Sequence, residues 1–146
     1  MDALTRYWQQ TGLTGEMPEA CAFGAGMAQQ DELCALVLAG IKRGTTSLAR
    51  WYVTDPKPQA GELRIILDGS AQPRGVIEIL HVNEMPFHAV DATFAAIEGE
   101  GDFSLAYWQA EHQRFFSNEM QAEGLSFTDQ EIVVLEHFRL IFPAST

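Results

Sequence analysis

The chain has 146 residues, of which 47% are hydrophobic and 20% charged, and its formal net charge is −11. This composition is typical of one globular domain with a single core, which excludes a disordered chain. No apolar run reaches the roughly 18 residues that a membrane span needs, and the excess of acids disfavours extended binding to phosphate backbones.

The N-terminus and the two cysteines predict a cytoplasmic location without a membrane partner. The first ten residues, MDALTRYWQQ, contain an early acid and no apolar stretch, unlike a secretory signal peptide. Cys21 and Cys34 have no paired spacing, so both are predicted to be free, buried thiols rather than a disulfide.

The first predicted elements are two helices separated by a loop. Residues 2–12 form a short helix that ends at Gly12, and the Gly- and Pro-marked residues 16–26 are typical of a loop, with at most one helical turn. Residues 28–40 form a second helix. Its apolar residues recur at helical spacing, and Gly40 lies where a C-terminal cap belongs.

Strand signals dominate the next part of the chain. Residues 45–53, 62–70 and 74–85 are rich in β-branched and aromatic side chains. The Asp68-Gly69 pair predicts a turn that joins the last two of these into a hairpin. Residues 131–142 predict a long final strand.

Two helical segments precede that final strand. Residues 87–102 begin as a helix and end in a Gly-punctuated acidic loop, and residues 104–124 form the longest helix, with Ser104 as its cap. Helices, then strands, then inserted helices and a late closing strand favour a small mixed barrel over a βαβ sheet.

The charges are unevenly distributed along the chain. Six of the nine cations lie between Lys42 and Arg74, whereas residues 75–113 hold seven acids and no cation. The pattern predicts either a solvated surface with uneven charge or a cleft with one basic and one acidic side.

The stretch GIKRGTTSL places two cations beside three hydroxyls. A hydroxyl becomes a good nucleophile when a base takes its proton, and a desolvated Lys can be that base, so Lys42 and Thr45 are candidates for nucleophilic chemistry. The alternative is structural: Lys42 and Arg43 balance the dipole at a helix C-terminus, and a β-branched strand follows.

The acidic loop EGEGD alternates carboxylates with glycines. The glycines allow tight turns, so Glu98, Glu100 and Asp102 can face one point for acid/base work, for recognition of the amino group of a base, or for binding a divalent metal. The alternative is a solvated turn that caps the next helix through Asp102 or Ser104.

The longest helix carries aromatic residues at core spacing, and His112 among them is more often a hydrogen-bonded, partly buried histidine than a catalyst. The four histidines show no metal-ligand spacing. The sequence has no GxSxG, P-loop, GxGxxG or HExxH motif, which argues against the common hydrolase, NTP-binding and dinucleotide-binding plans.

Four stretches in this order resemble the ASCH domain family of the PUA-like superfamily, in its bacterial full-length type. They are GIKRGTTSL, ILDGSAQPRGVIEI, VNEMPFHAVDATFAAIEGEGDFSLAYWQAEHQRFF and VVLEHFRLIF. The resemblance runs from about residue 20 to 142, and EGEGDFSLAYW is its most specific part. It implies an α+β fold: a small PUA-like β-barrel of about five or six strands with flanking helices. Residues 1–146 would be one such domain, with residues 1–20 as an N-terminal helical extension.

The resemblance also implies functions directed at RNA or nucleosides. The superfamily is associated with RNA binding and RNA modification, some ASCH proteins are reported to cut RNA, and small members to hydrolyse the amide of acylated cytidines. In those hydrolases a G-x-K-x-x-T motif supplies a base and a nucleophile, which map to Lys42 and Thr45. A later Glu assists, here Glu100 or, next in order, Glu98. Ser117 lies where RNA-cutting members have a serine in the cleft.

Further residues are expected to contact the ligand. They are Arg43, Thr46, Ser47, Trp51, Tyr52, Asp102 and Trp108. The chain is longer than the small hydrolases and unusually acidic for a general RNA binder, which favours a nucleoside or a short single strand over long duplex RNA.

Three functional hypotheses remain open at this point. The first is a hydrolase acting on a modified nucleoside or on RNA. The second is a non-catalytic RNA- or nucleotide-binding module, in which the basic segment holds phosphate and Trp51 or Tyr52 stacks a base. The third is a protein-interaction domain with a vestigial cleft. No cofactor or resident metal is expected to be required, manganese is considered only for a ribonuclease, and a homodimer is compatible with the sequence.

Overall fold

The computed structural model describes residues 1–144 and contains four α-helices and five strands within that range. The helices are α1 (Ala3–Thr11), α2 (Met27–Leu38), α3 (Ala92–Glu98) and α4 (Leu105–Ala122). The strands are β1 (Ala20–Cys21), β2 (Gly44–Leu48), β3 (Leu63–Leu67), β4 (Pro73–Pro86) and β5 (Ile132–Phe142).

The strands form one open, mixed sheet in the order β1-β3-β4-β5-β2. The β1–β3 pair is parallel and every other pair is antiparallel. The α+β class and the strand number are confirmed, but a closed barrel is not, because β1 and β2 lie at opposite edges of the sheet in the described residues.

The helices cover both faces of this sheet. We call one face of the sheet the α2 face, because Cys34 and Val37 of α2 pack there against Ile66, Ile77 and Phe138. We call the other face the α4 face, and α3 and α4 cover it near β2 and β5. The core cluster there contains Leu48, Phe87, Val90, Ala95, Trp108, Phe116, Met120, Val133 and Leu135. The sheet therefore separates two apolar layers, and its β2 edge lies between α2 and α4.

Local signals set most of the element ends. Gly12 takes a left-handed conformation after α1, with φ of 73°. Asp91 caps α3 by accepting from the Phe94 N–H, and Ser104 caps α4 as predicted, by accepting from the Tyr107 N–H at 3.1 Å. The hairpin of β3 and β4 is also confirmed, and Asp68 organises its turn by accepting two backbone N–H bonds.

Two expectations differ from the structure. The two-residue strand β1 lies inside the segment predicted to be a loop; it is too short for a pattern and forms by pairing with β3. The strand predicted over residues 45–53 ends at Leu48, and residues Ala49–Tyr52 form a 3₁₀ helix instead. The aromatic residues of that stretch turn away from the sheet ladder and pack beside it. No helix among the described residues has both the length and the apolar character needed to cross a membrane.

Candidate functional site

A cavity of about 910 Å³ opens at the outer edge of β2, between α2 and α4. Its walls come from the loop before α2, from α2, from β2, from the acidic loop and from α4. Gly24 and Gly26 in that loop take positive φ values of 101° and 82°, which bend the chain around the cavity mouth. The volume lies within the range of small-molecule sites, roughly 300–1,000 Å³.

Lys42 lies at the base of this cavity and is 1% exposed. Its Nζ donates to the Gly44 carbonyl at 2.7 Å, to Glu98 Oε1 at 3.1 Å and to Glu100 Oε2 at 2.8 Å. An ammonium group has three N–H donors, so all of them are used. This full set of acceptors offsets the cost of removing the charge from water.

The backbone around Lys42 explains how it reaches this position. The chain leaves α2 through Gly40, whose φ is 76°, and both Ile41 and Lys42 return N–H bonds to the Leu36 carbonyl. The acidic loop approaches closely: a Cβ on Gly99 would lie 2.3 Å from the Ile41 carbonyl oxygen. Only glycine fits at Gly99, and this contact brings Glu98 and Glu100 to the Lys42 ammonium.

Glu98, the last residue of α3, is a buried carboxylate with four donors and 1% exposure. Besides Lys42, it accepts from the Thr46 hydroxyl at 2.5 Å, from Trp108 Nε1 at 2.6 Å and from His112 Nε2 at 3.2 Å. These contacts tie β2 to α4 on the α4 face. Glu98 is therefore an anchor of the site with no free oxygen for a ligand.

His112 completes this network from α4. Its Nδ1 lies 2.9 Å from the Trp108 carbonyl oxygen, and its ring stacks on the Trp108 indole at 4.4 Å. The sequence predicted a hydrogen-bonded, partly buried histidine, but the partner Glu98 was missed. Trp108 and His112 both contact Glu98, and their i, i+4 spacing places them on one face of α4. This spacing is the sequence signal that could have indicated a shared partner.

The charges in this cluster hold one another in place. Burial alone would lower the pKa of Lys42, but Glu98 and Glu100 offset that effect and raise it above its usual value. Burial would raise the pKa of Glu98, yet Lys42 and His112 bring it well below the usual range. Burial works against the charged form of His112 as well, but Glu98 raises its pKa. Lys42 and His112 therefore favour their charged forms.

Glu100 differs from Glu98 in exposure and in pKa. Its side chain is 15% exposed and lines the cavity. Burial and the negative charge of Glu98 raise the pKa of Glu100 above its usual value, although Lys42 acts in the opposite direction. Of the two loop carboxylates, Glu100 is the one that a ligand can contact, and its raised pKa favours the protonated form that can donate a proton.

The structure brings five of the predicted site residues into one cavity. They are Lys42, Thr45, Thr46, Glu98 and Glu100. Within residues 1–144 the Thr45 hydroxyl makes no hydrogen bond, in contrast to that of Thr46.

The other predicted site residues do not line the cavity. Arg43 is exposed, and its backbone joins β2 to Ile97 and Phe138. Ser47 and Tyr52 form a hydroxyl pair at 2.7 Å. Asp102 accepts a hydrogen bond from the Ser104 N–H. Neither Asp102 nor Ser117 lines the cavity. Trp51 and Trp108 pack in the core on the α4 face, where Trp108 reaches the site only through Glu98.

Sequence reasoning did not assign several residues of the cavity wall. They include Phe23, Gln29, Glu32, Glu111, Arg114 and Asn118. Phe23 stacks on Phe138 and lies 5.3 Å beneath the Lys42 ammonium, a contact that depends on folding and left no signal in the local sequence.

The cavity wall carries more negative than positive side chains. Four acidic side chains, those of Glu32, Glu98, Glu100 and Glu111, face the same space as three basic ones, Lys42, His112 and Arg114. Lys42 is fully engaged, His112 is paired with Glu98, and Arg114 is paired with Glu111 at 2.6 Å. The wall thus offers no unpaired cation for a phosphate group among the described residues.

Three side chains at the base of the cavity have the spacing of a metal site. Ligand atoms of Glu98, Glu100 and His112 lie within 4.8 Å of one another, a spacing that can hold a divalent cation. The Lys42 ammonium already lies between both carboxylates, and His112 Nε2 is bonded to Glu98. A second cation would have to displace a buried ammonium, so this donor set does not fit a metal while Lys42 is charged.

The fold and the cavity define an α+β domain with a charged cleft at the edge of an open sheet. Comparison with known families gives its membership: the profile of the ASCH domain matches residues 19–142, and the chain belongs to this family. Curated proteins give no match.

Two solved structures resemble the whole chain. The ASCH domain from Lactobacillus crispatus JV V101 is 32% identical with a TM-score of 0.87, and the match covers 94% of this chain and 93% of that one. A protein from Enterococcus faecalis V583 is 32% identical with a TM-score of 0.86, over 95% of this chain and 88% of that one. These matches confirm the family and fold predicted from the sequence.

Proposed function

We propose that the cleft hydrolyses the amide of an acylated cytidine, taken as the nucleoside. The observation that carries this proposal is the 2.8 Å contact between Lys42 Nζ and Glu100 Oε2 at the base of a cavity that also contains the unbonded Thr45 hydroxyl. A nucleophile beside an acid/base group is the combination that amide cleavage requires.

The proposed roles follow from the contacts of each group. Thr45 Oγ1 gives its proton to a nearby base and attacks the acyl carbon, and the C–N bond breaks as the cytosine nitrogen takes a proton from the Glu100 carboxyl group. The resulting Glu100 carboxylate is stabilised by Lys42 at 2.8 Å. Water then cleaves the acyl-threonine ester: its hydroxyl joins the acyl group, its other proton returns to Glu100, and the base returns its proton to Thr45 Oγ1.

This scheme changes the role first expected for Lys42. Its three donors are used and its pKa is raised, so Lys42 keeps its proton in the resting protein. To act as a base it must first pass that proton to Glu100. We therefore assign Lys42 to holding Glu100 in place and stabilising its carboxylate form, and no step passes through a metal.

The wall charge favours a nucleoside over an RNA strand. RNA cleavage in this cavity would bring a phosphate beside four acidic side chains, with the three nearby basic ones already paired. An uncharged nucleoside avoids that repulsion, and the carboxylates match the N–H groups of a base. Ribonuclease activity is accordingly the second choice.

The test compares turnover of N4-acetylcytidine and cleavage of a short single-stranded RNA, each with and without manganese. Wild type should deacylate the nucleoside without added metal. Thr45→Val removes the hydroxyl at nearly constant volume and should lower the rate by about 100-fold or more. Thr54→Val, in an exposed loop, is the matched control and should keep the wild-type rate.

Two results would contradict this proposal. Strand cleavage that Thr45→Val abolishes, without deacylation, would support the ribonuclease. Saturable binding of the nucleoside without any turnover would support the binding module, which the complete set of Lys42 acceptors also favours because no proton then has to move.

A further inference from the structure

Glu136 of β5 lies directly opposite Thr45 in the antiparallel pair of β2 and β5. Residues opposite each other in such a pair project from the same face of the sheet, with Cβ atoms about 4.5–5.5 Å apart. The face is that of Phe138, two residues further along β5, against which Phe23 of the cavity wall stacks. The Glu136 carboxyl group and the Thr45 hydroxyl therefore share the α2 face beside the cavity.

Glu136 is a half-buried acid without a partner. Within residues 1–144 its side chain makes no hydrogen bond and no ion pair within 4 Å. Glu98, on the α4 face of the same strand pair, has four donors. Structural carboxylates in protein interiors are normally hydrogen-bonded, so an unpaired one beside a cavity calls for another explanation.

The titratable groups that act on Glu136 come from several elements around it. They are Arg64 on β3, Glu62 just before β3, Cys21 on β1, Tyr52 after β2, and Lys42. Burial and Glu62 raise the pKa of Glu136 to about 7, while Arg64 and Lys42 act to lower it. A carboxyl group in this range both takes up and releases protons at neutral pH.

The scheme for the cleft lacks one component that Glu136 can supply. Thr45 needs a proton acceptor, and Lys42 is fully protonated and bonded to three acceptors. We propose that Glu136 accepts the proton of Thr45 Oγ1 when Thr45 attacks an acyl group bound in the cleft. The inference rests on the proposed function insofar as that function makes Thr45 the nucleophile.

The step balances without a further reactant. The O–H bond of Thr45 breaks, and its proton moves to a Glu136 carboxylate oxygen. The Oγ1 electron pair forms the bond to the acyl carbon, and the carbonyl π electrons move onto oxygen. Glu136 and Glu100 then act on opposite sides of the reaction: one takes the proton of the nucleophile, and the other gives a proton to the leaving amine.

The test uses 4-nitrophenyl acetate, so that activation of Thr45 is measured without the natural substrate. Acetylation of the full chain is followed by mass spectrometry, with the modified residue located by peptide mapping. In wild type, Thr45 should be acetylated at a rate that rises through a pH of about 7. Glu136→Gln should slow this about 100-fold and remove the inflection. The matched control is Glu84→Gln. Glu84 lies on β4, its exposed carboxylate pairs with Lys57, and the variant should behave as wild type.

Glu136→Asp provides a second arm if the Gln variant fails to fold. It keeps a carboxyl group but withdraws it by one methylene, so the rate should fall while an inflection remains. Equal acetylation of Thr45 in wild type and in either folded Glu136 variant would overturn the inference, as would absence of acetylation at Thr45 in wild type. If Thr45 is acetylated in a Glu136-dependent way while N4-acetylcytidine is not hydrolysed, the inference stands and the proposed substrate fails.

Discussion

Thr45 and Thr46 are adjacent, identical residues that meet opposite surroundings. On the α4 face, the Thr46 hydroxyl donates to Glu98, which accepts from three other groups. On the α2 face, Thr45 lies opposite Glu136, and neither side chain has a hydrogen-bond partner within residues 1–144. The same residue types therefore build a hydrogen-bonded network on the α4 face and, on the α2 face, a pair of polar groups whose hydrogen-bonding capacity is unused within the described residues.

The largest stability effect is expected at Glu98. Glu98→Gln removes the charge between Lys42 and His112, and it presents an amide to the donor groups of Thr46 and Trp108. Breaking a buried ion pair costs about 3–5 kcal/mol, so urea denaturation should show a loss of that order. Glu136→Gln should cause no such loss at neutral pH, because burial of Glu136 favours its neutral form. Equal losses in the two variants would remove the contrast between the faces.

The paired hydroxyls give a sharper and smaller comparison. Thr46→Val removes a hydrogen bond to a charged group, which contributes about 1.5–3 kcal/mol. Thr45→Val removes a hydroxyl that makes no hydrogen bond within residues 1–144, so it should lower the free energy of unfolding by less than about 1 kcal/mol. Chemical denaturation of the two variants beside wild type tests this. A larger loss for Thr45 would mean that it has a structural partner.

His112 should make stability depend on pH. Its pKa is raised in the folded protein by Glu98, after burial has acted against it, so its contribution is fully present below the unfolded value of about 6.5. The contribution is lost as pH rises through the folded pKa. The melting temperature should therefore fall as pH rises above about 6.5, and His112→Gln, which keeps a donor for Glu98, should flatten that slope. An unchanged slope would show that another group titrates there.

Glu136 should give the smallest effect, with a sign that identifies it. Because its folded pKa is raised to about 7, its neutral form stabilises the protein below the unfolded value, and that contribution is lost as pH rises through 7. Glu136→Gln should therefore gain slightly in melting temperature over wild type at pH 8, with no gain at pH 4. A gain at both values would point to a cause other than titration.

The sequence predicted the parts of the site that lie within short segments. Lys42 and Thr45 share one motif and Glu98 and Glu100 another, and the family resemblance placed both motifs at one cleft. The caps at Gly12 and Ser104 are local as well, and both were predicted. The arrangement of these residues in space depended on the close contact of Gly99 with Ile41, which no local pattern contains.

The missed features depend on long-range pairing. Glu136 looks like an ordinary polar residue in a strand, and only the register of β5 with β2 places it opposite Thr45. Phe23 takes its place in the cavity wall by stacking on Phe138 of β5, and β1 is a strand because it pairs with β3. Closure of the predicted barrel is not confirmed for a related reason: strand patterns indicate faces and lengths, but not whether the edge strands of a sheet meet.

β2 is a five-residue edge strand held in the sheet by β5 alone, and its side chains alternate between the two faces. Gly44 begins it in a tight place, where a Cβ would lie 3.0 Å from Ile97 and 3.2 Å from the Glu136 carbonyl oxygen. One residue inserted between Lys42 and Thr45 would not simply lengthen a loop. It would bring the Thr45 hydroxyl to Glu98 and carry Thr46 away from it. The cleft therefore depends on whether the number of residues between Lys42 and Thr45 is odd or even, more than on its size. Two inserted residues would leave each threonine hydroxyl on its present face of the sheet, whereas one inserted residue would move each hydroxyl to the opposite face.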